Sequence, residues 1–453
     1  MPSVIVAVGG TGQHIALAAA RLRLLGALPE GLSLLTIDGD TSGTLTTSLT
    51  TFDETVEKGR KPDHPLLQGD QDPFPPFDRQ RHQNPRFADL LIGPQAKVTE
   101  REIFECLFDE ESANVPVNEG MFGQPMVGAT VFALEKNQQL KDVFTAIEEA
   151  QQVFVVGSFI GGTGAGILHQ LVKTIQNRQP QKDIYGIFFL PWISMGASKG
   201  DVTRTIDDSI LVRNMQYGLH YFYEETRERL KASLLIGAGE EVGPFRKQSV
   251  EQSKGEVRTP LMYLAAKAIH WLPDNARQQN EKGSVYAASA TATAPLYDDR
   301  FGKTPLSWYV NRARYVGKLM DYAGGQKFRD EMESTFKLLG SKPENIGLGL
   351  HGAIQEIPKN TRTPNLDRIQ LTWRGLASQY KKSLVWLDGV LGQLPAHLVS
   401  PDVKSLEDEK TVAAKLQAIW RPLKPKSITT PSGEEIAMYF AQRVGESFPE
   451  VLA

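Results

Sequence analysis

Short unbroken apolar runs alternate along this chain with longer stretches in which apolar residues return every three or four positions. Ser3–Val8 (SVIVAV), Leu32–Ile37 (LSLLTI), 153–156 (VFVV), 184–190 and 233–236 predict strands buried on both faces, as in a parallel sheet covered by helices. Helical spacing holds at Ile15, Ala16, Ala19 and Leu22, ending near Gly26, and again over 98–108. It then predicts one helix through Phe132, Leu134, Leu140, Val143, Phe144 and Ile147, and another from Ile167 to about residue 177. Residues 201–231 predict a single long amphipathic helix. Thr259-Pro260 supplies an N-cap and first turn for a helix through Leu261, Leu264, Ala265, Ala268 and Ile269, which Pro273 is expected to stop. Residues 275–303 are polar with little periodicity. Beyond them 306–322, 326–339, 410–423 and 434–444 predict helices, 346–354 a strand, and 369–373 a strand leading into a helix to about 391. This alternation predicts an α/β fold built on a parallel sheet.

The joints between elements carry the candidate chemistry. After 153–156 the chain turns at Gly157 and reaches Gly161-Gly162-Thr163-Gly164-Ala165-Gly166 before its next helix. Strand, glycine turn and helix leave bare backbone N–H groups at a positive helix end, a natural anion site, and glycine lets a phosphate approach the backbone. A tight turn of structural glycines is the other reading. The first strand repeats the arrangement with Gly9-Gly10-Thr11-Gly12 and Gln13. Ile15 stands where a dinucleotide fingerprint has its third glycine, which disfavours a nicotinamide oxidoreductase, and neither stretch has the Gly-Lys-Ser/Thr of a Walker loop. Asp38 closes the second strand, where an acid meets either a ligand crevice (ribose or a magnesium-bound water) or only its own turn. Residues 120–128, with Gly123 and Gln124, form a third glycine-bearing loop.

Other candidates have plainer readings. Asp207 and Asp208, and Glu240 and Glu241, fit a solvated helix face and an exposed turn. The histidines are scattered, so no metal site is predicted. Residues 61–87 hold Pro62, Pro65, Pro73, Pro75, Pro76 and Pro85, a long loop that is either a surface excursion or a protein-partner segment.

Composition narrows the classes. At 453 residues the chain is long enough for two or three domains. A net charge of −3, with Lys and Arg dispersed, gives no pull toward nucleic acid or anionic membrane. The single cysteine, Cys106, excludes an internal disulfide. No signal peptide and no apolar run of membrane-spanning length is found, so a cytoplasmic protein is expected.

Taken in order, these residues resemble the tubulin/FtsZ superfamily of GTP-binding, filament-forming proteins. Residues 160–166 (IGGTGAG) are similar to tubulin's GGGTG signature, with Ile160 in place of its first glycine. Residues 8–15 (VGGTGQHI) are similar to tubulin's first loop, Asp38 matches the aspartate after the second strand, 123–128 (GQPMVG) looks like the γ-phosphate loop of FtsZ, and 189–192 (FLPW) resembles the strand end before its ribose loop. The matches cover residues 3–192. The resemblance implies a Rossmann-like parallel-sheet GTPase domain over 1–257, a core helix and connecting loop over 258–303, and a smaller α/β C-terminal domain over 304–453. It implies GTP/GDP as ligand, with Mg2+ left open, and head-to-tail self-association. The phosphate-binding set it implies is Gly9, Gly10, Thr11, Gly12, Gln13, Asp38, Gly123, Gln124, Gly161, Gly162, Thr163, Gly164, Ala165 and Gly166. Tyr263 would stack on the base, or serve as a core tyrosine. Lys267 stands where the family has the Asn or Asp that reads guanine, and lysine cannot accept from the base. The acid motif that the family lends to the next subunit's nucleotide is not matched after Leu272, where 273–277 read PDNAR; Asp274 is the candidate acid there, and Asn365-Leu366-Asp367 resembles a fragment of the motif far downstream. A nucleotide-binding regulatory or scaffold protein of the same fold, non-polymerising and with little or no hydrolysis, is the alternative.

Overall fold

A computed structural model describes residues 2–29, 31–40, 86–93, 95–119, 121, 123–134, 140–192, 208–237, 260–279, 282–289, 306–326, 330 and 366–391. Six strands form one sheet: β1 (Ser3–Val8), β2 (Leu32–Ile37), β3 (Gln152–Ser158), β4 (Asp183–Phe189), β5 (Ala232–Gly237) and β6 (Ser284–Ser289). Their order is β2-β1-β3-β4-β5-β6 and every adjacent pair is parallel. The chain leaves β1 for β2 on one side and returns as β3 on the other. That reversal opens a crevice at the C-terminal ends of β1 and β3, where ligands of open α/β sheets sit.

Helices cover both faces. On one face Ile5, Ala7, Phe154, Val156, Tyr185 and Ile187 pack against α1 (Gly9–Leu25) and a long helix, Pro260–Gln279. On the other, Val4, Val6, Val8, Val153, Val155 and Phe188 pack against helices Leu140–Glu149 and Gly162–Arg178. The alternation of β1 between the two clusters is why its sequence is apolar at every position from Val4 to Val8: each fully buried Val or Ile stabilises by roughly 1.5–3 kcal/mol. A third, smaller core gathers Phe87, Phe104, Val115, Val117, Met121, Val127 and Val131. It lies among short helices α2 (Phe87–Leu91), α3 (Val98–Leu107) and α4 (Glu110–Ala113) and helix α5 (Pro125–Leu134). The remaining helices are α6 (Leu140–Glu149), α7 (Gly162–Arg178), α8 (Asp208–Tyr221), α9 (Pro260–Gln279), α10 (Leu306–Ala323) and α11 (Leu366–Leu391). Core residues of α10 and α11 join the cluster of α1 and α9, so α1 is enclosed between the sheet and this C-terminal pair.

The α/β parallel-sheet architecture is the one the hydrophobic pattern predicts, and several elements depart from it. The helix expected through Phe132 and Ile147 is two, α5 and α6, with 135–139 outside the described residues. Pro125 starts α5, so the third glycine loop ends at Gln124 and Gly128 is helical. Of the long helix expected over 201–231, α8 ends at Tyr221 and passes through a π-type turn, Phe222–Thr226, into one tight turn, Arg227–Arg229. Pro273 does not stop α9, which runs on to Gln279. The helix is buried on both sides of it, from Leu261 to Ala276, and this packing outweighs a penalty of about 3 kcal/mol.

Two strand expectations also change. The stretch 275–303 contains β6, whose SVYAAS sequence is too rich in small residues to show a strand pattern. Residues 369–373 are not a strand; they lie in α11, whose buried Gln370, Trp373, Leu376, Ala377, Tyr380, Ser383, Leu387 and Val390 keep a helical spacing. The predicted elements at 346–354, 410–423 and 434–444, most of 326–339, Asp207, Glu240, Glu241 and residues 61–85 of the proline-rich loop lie outside the described residues. No described helix is long and apolar enough to cross a membrane.

Candidate functional site

β1 and β3 lie side by side, and each passes directly into a helix at the same edge of the sheet. The N-cap positions of α1 and α7 are Val8 and Gly161, and neither helix has a side-chain cap. Neither first turn holds an acidic residue, and the same is true of α5. The first turns of these helices thus supply no acidic counter-charge of their own to their positive ends.

The glycines divide into two groups. A Cβ on Gly9, whose φ is +69°, would stand 3.1 Å from the Gly164 nitrogen, so the two glycine loops touch. A Cβ on Gly12 would come within 2.8 Å of the Ala7 carbonyl carbon, and one on Gly164 within 2.8 Å of the Ser158 oxygen. Gly162 lies against Met121, and Gly166 against Pro125 and Ala129 of α5. Gly128 is packed against the Gly162 carbonyl oxygen. These glycines let helices and strands approach one another. Gly10 and Gly161 differ: nothing lies within 4 Å of a Cβ at either. They leave the backbone bare toward open space, with room for a ligand to approach it.

Polar side chains tie the crevice together. Gln13 Nε2 donates to Asp38 Oδ2 at 2.8 Å, and the Thr163 side chain also hydrogen-bonds Asp38. Asp38 is 4% exposed. Burial, reinforced by the charge of Asp40, pushes its carboxyl up to about 7, against the pull of its hydrogen bonds with Asp40, Gln13 and Thr163. Mg2+ binds through one or two carboxylates with phosphate oxygens completing its shell. Both Asp38 oxygens accept hydrogen bonds, Oδ2 from Gln13 and Oδ1 from the Asp40 N–H; these orient the carboxylate and leave lone pairs that would suit a Mg2+ ion or its water. Among the described residues no three His, Cys, Asp or Glu side chains are grouped to hold a metal. At the β4 end of the crevice, Trp192 Nε1 donates to Thr11 Oγ1 at 3.4 Å and the indole meets His14 edge-on.

Gly9 to Gln13, Asp38, Gly123, Gln124 and Gly161 to Gly166 gather around this edge. Tyr263 and Asp274 do not. Tyr263 is 0% exposed within the core of α9, so no face of its ring is open to a base. The stacking role predicted for it gives way to the core reading, because its neighbours Met262, Leu264, Ala265 and Ala266 are buried with it. Lys267 is also buried. α9 joins two parallel strands and therefore runs against them. Asp274 is thereby placed beside the start of β4, where its charge and that of Arg277 both bear on Tyr185. It is exposed, and its Oδ1 lies 3.6 Å from Arg277 Nη1.

The sequence reading missed Asn214. This α8 residue is buried, and its Nδ2 donates to the carbonyls of Gly123 at 2.7 Å and Ile160 at 3.4 Å. Its signal was an asparagine on the same helical stripe as buried Leu211, Gly218 and Phe222.

No protein-family model and no curated protein matches the chain. Solved structures do. One is CetZ2 from Haloferax volcanii, a GTPγS-bound protofilament, with 17% identity over 61% of this chain and 59% of that one and a TM-score of 0.33. A second is CetZ from Methanosaeta thermophila, with 13% identity over 60% of this chain and 54% of that one and a TM-score of 0.32. A third is CetZ1 from Haloferax volcanii, a GDP-bound monomer, with 15% identity over 56% of each chain and a TM-score of 0.29. The chain spans less than two thirds of the length of each of these structures.

Proposed function

We propose that this chain is a divergent tubulin/FtsZ-like protein that binds a guanine nucleotide, with its phosphates in the crevice between α1, α5 and α7. In this reading it is a GTPase that assembles head to tail. The observation that carries the phosphate site is the bare backbone at Gly10 and Gly161, beside helix ends with no cap and no acidic first turn. Such ends hold anions through N–H groups and the helix dipole, without a Walker lysine. The ordered motifs between residues 8 and 192 supply the guanine and filament parts of the reading.

The test uses the difference between the glycines. Gly10→Ala and Gly161→Ala place a methyl in open space and leave the fold intact; the first removes a helical glycine that costs about 0.5–1 kcal/mol. Each variant is expected to bind GTP at least tenfold more weakly than the parent, with a thermal midpoint equal or higher. Gly164→Ala and Gly166→Ala are expected to lower the midpoint instead, because backbone atoms occupy the space. Full binding by both open-space variants would sink the site.

One observation favours a second reading, a nucleotide-binding module that hydrolyses little and does not polymerise. Asp274, the acid that would serve the next subunit, sits inside a helix and is paired with Arg277. GTP, ATP and non-hydrolysable analogues, followed together by phosphate release and light scattering, separate the two. GTP-dependent scattering supports the filament, and binding with neither signal supports the module.

A further inference from the structure

Asn214 lies on the buried stripe of α8, with Gly218 of the same helix set close against Phe159. Its side chain reaches two loops at once. The Gly123 carbonyl is two residues before α5, and the Ile160 carbonyl is two residues before α7. Ile160 is held from its other side as well, since its N–H donates to Ser158 Oγ at 3.0 Å. The peptide joining Ile160 to Gly161 is trans, so the Gly161 N–H points opposite to the Ile160 carbonyl. A donor that fixes the carbonyl therefore fixes where that N–H is aimed.

We propose that Asn214 is a positioning residue for the phosphate crevice. Its amide, donating to the Gly123 and Ile160 carbonyls, sets the spacing of the α5 and α7 entries and turns the Gly161 N–H away from α8 toward the ligand. This rests on the reading of the crevice as a phosphate site. Loss of the donor frees the Ile160–Gly161 peptide to rotate, and a carbonyl brought round to the ligand side repels an anion. The role is confined to the phosphate end; nothing in it touches a base.

The experiment measures binding of fluorescent methylanthraniloyl-GTP to the full chain, with competition by inorganic pyrophosphate and by guanosine. Asn214→Leu keeps the branched arrangement of side-chain heavy atoms and removes the donor. Its affinity for the labelled GTP and for pyrophosphate is expected to fall at least tenfold and by the same factor, with guanosine competition unchanged. Unchanged pyrophosphate affinity overturns the proposal and leaves the phosphate reading standing. An equal loss for guanosine also overturns it, since that marks general disruption. A parent protein from which pyrophosphate displaces nothing refutes the phosphate reading and this proposal with it. Should Asn214→Leu fail to fold, Asn214→Ala removes the same donor without adding apolar bulk beside the Gly123 and Ile160 carbonyls. A tenfold loss of pyrophosphate affinity there supports the role, and no loss overturns it.

Discussion

Two buried titratable side chains pull the stability of this protein in opposite directions with pH. His169, stacked on Phe159 and hydrogen-bonded through Nδ1 with the Thr226 hydroxyl, is held neutral by burial, and its pKa falls from 6.5 to about 4. Between those values the unfolded chain binds the proton and the native one does not, so stability falls as pH drops through 6.5 toward 4. Asp38 does the reverse, with a pKa raised from 3.8 to about 7. The native state binds that proton more tightly, so stability falls as pH rises from 3.8 through 7. At about 1.4 kcal/mol per unit each effect is on the order of 3 kcal/mol, and across pH 4–6.5 they largely cancel. Urea denaturation at pH 4.5 and pH 7 is therefore expected to give similar stabilities for the parent. Asp38→Asn should uncover the histidine and be less stable at pH 4.5 than at pH 7, whereas His169→Asn should uncover the aspartate and show the opposite slope. Parallel profiles for the two variants would refute the assignment. Sequence alone located Asp38 at a strand end but could not show that it is enclosed, because enclosure comes from Gln13 and Thr163 on two other elements. It likewise showed the glycine runs but not that Gly162, Gly164 and Gly166 are spaces for neighbouring backbone.

Elements were legible where one period ran without competition. β1 to β5 are short apolar runs, and all five lie close to where the pattern put them. β6 was invisible because four of its six residues are serine or alanine, and Val285 and Tyr286 alone make too short an apolar run. The stop expected at Pro273 failed because local propensity is weaker than a face buried along the whole helix. The C-terminal pair makes a similar point. Trp386 of α11 is buried, with the Arg21 guanidinium of α1 5.4 Å from its ring centroid. Neither residue belongs to a motif, yet together they close the outer face of the helix that begins at Gly9. Trp386→Ala is expected to destabilise the protein by about 3–5 kcal/mol, through the cavity and the loss of the ring under a buried cation. Trp386→Phe should lose clearly less. A urea midpoint unmoved by the alanine variant would show that α11 does not stabilise α1.

At the scale of the whole molecule the predicted phosphate residues and the predicted acid stand at opposite edges of the sheet. The glycine loops follow the ends of β1 and β3, while Asp274 lies beside the start of β4. A single chain cannot bring them together. A head-to-tail stack can, because a heterologous contact repeats one edge of each copy against the other edge of the next. The Asp274–Arg277 pair is exposed, with side-chain exposures of 56% and 57%, and a pair of that kind contributes about 0–1 kcal/mol. Asp274→Asn is therefore expected to leave the urea midpoint and GTP affinity of the isolated chain where they are, which makes it a clean probe. If the stack forms, phosphate release per parent chain rises with protein concentration as ends meet, and the variant's release stays at its dilute value. The variant should still scatter light with GTP, because binding and contact are retained and only the acid is lost. A parent whose release per chain is flat with concentration, matched by the variant, would sink the catalytic role of Asp274. The crevice would then belong to a nucleotide-binding module whose far edge has no part in the chemistry.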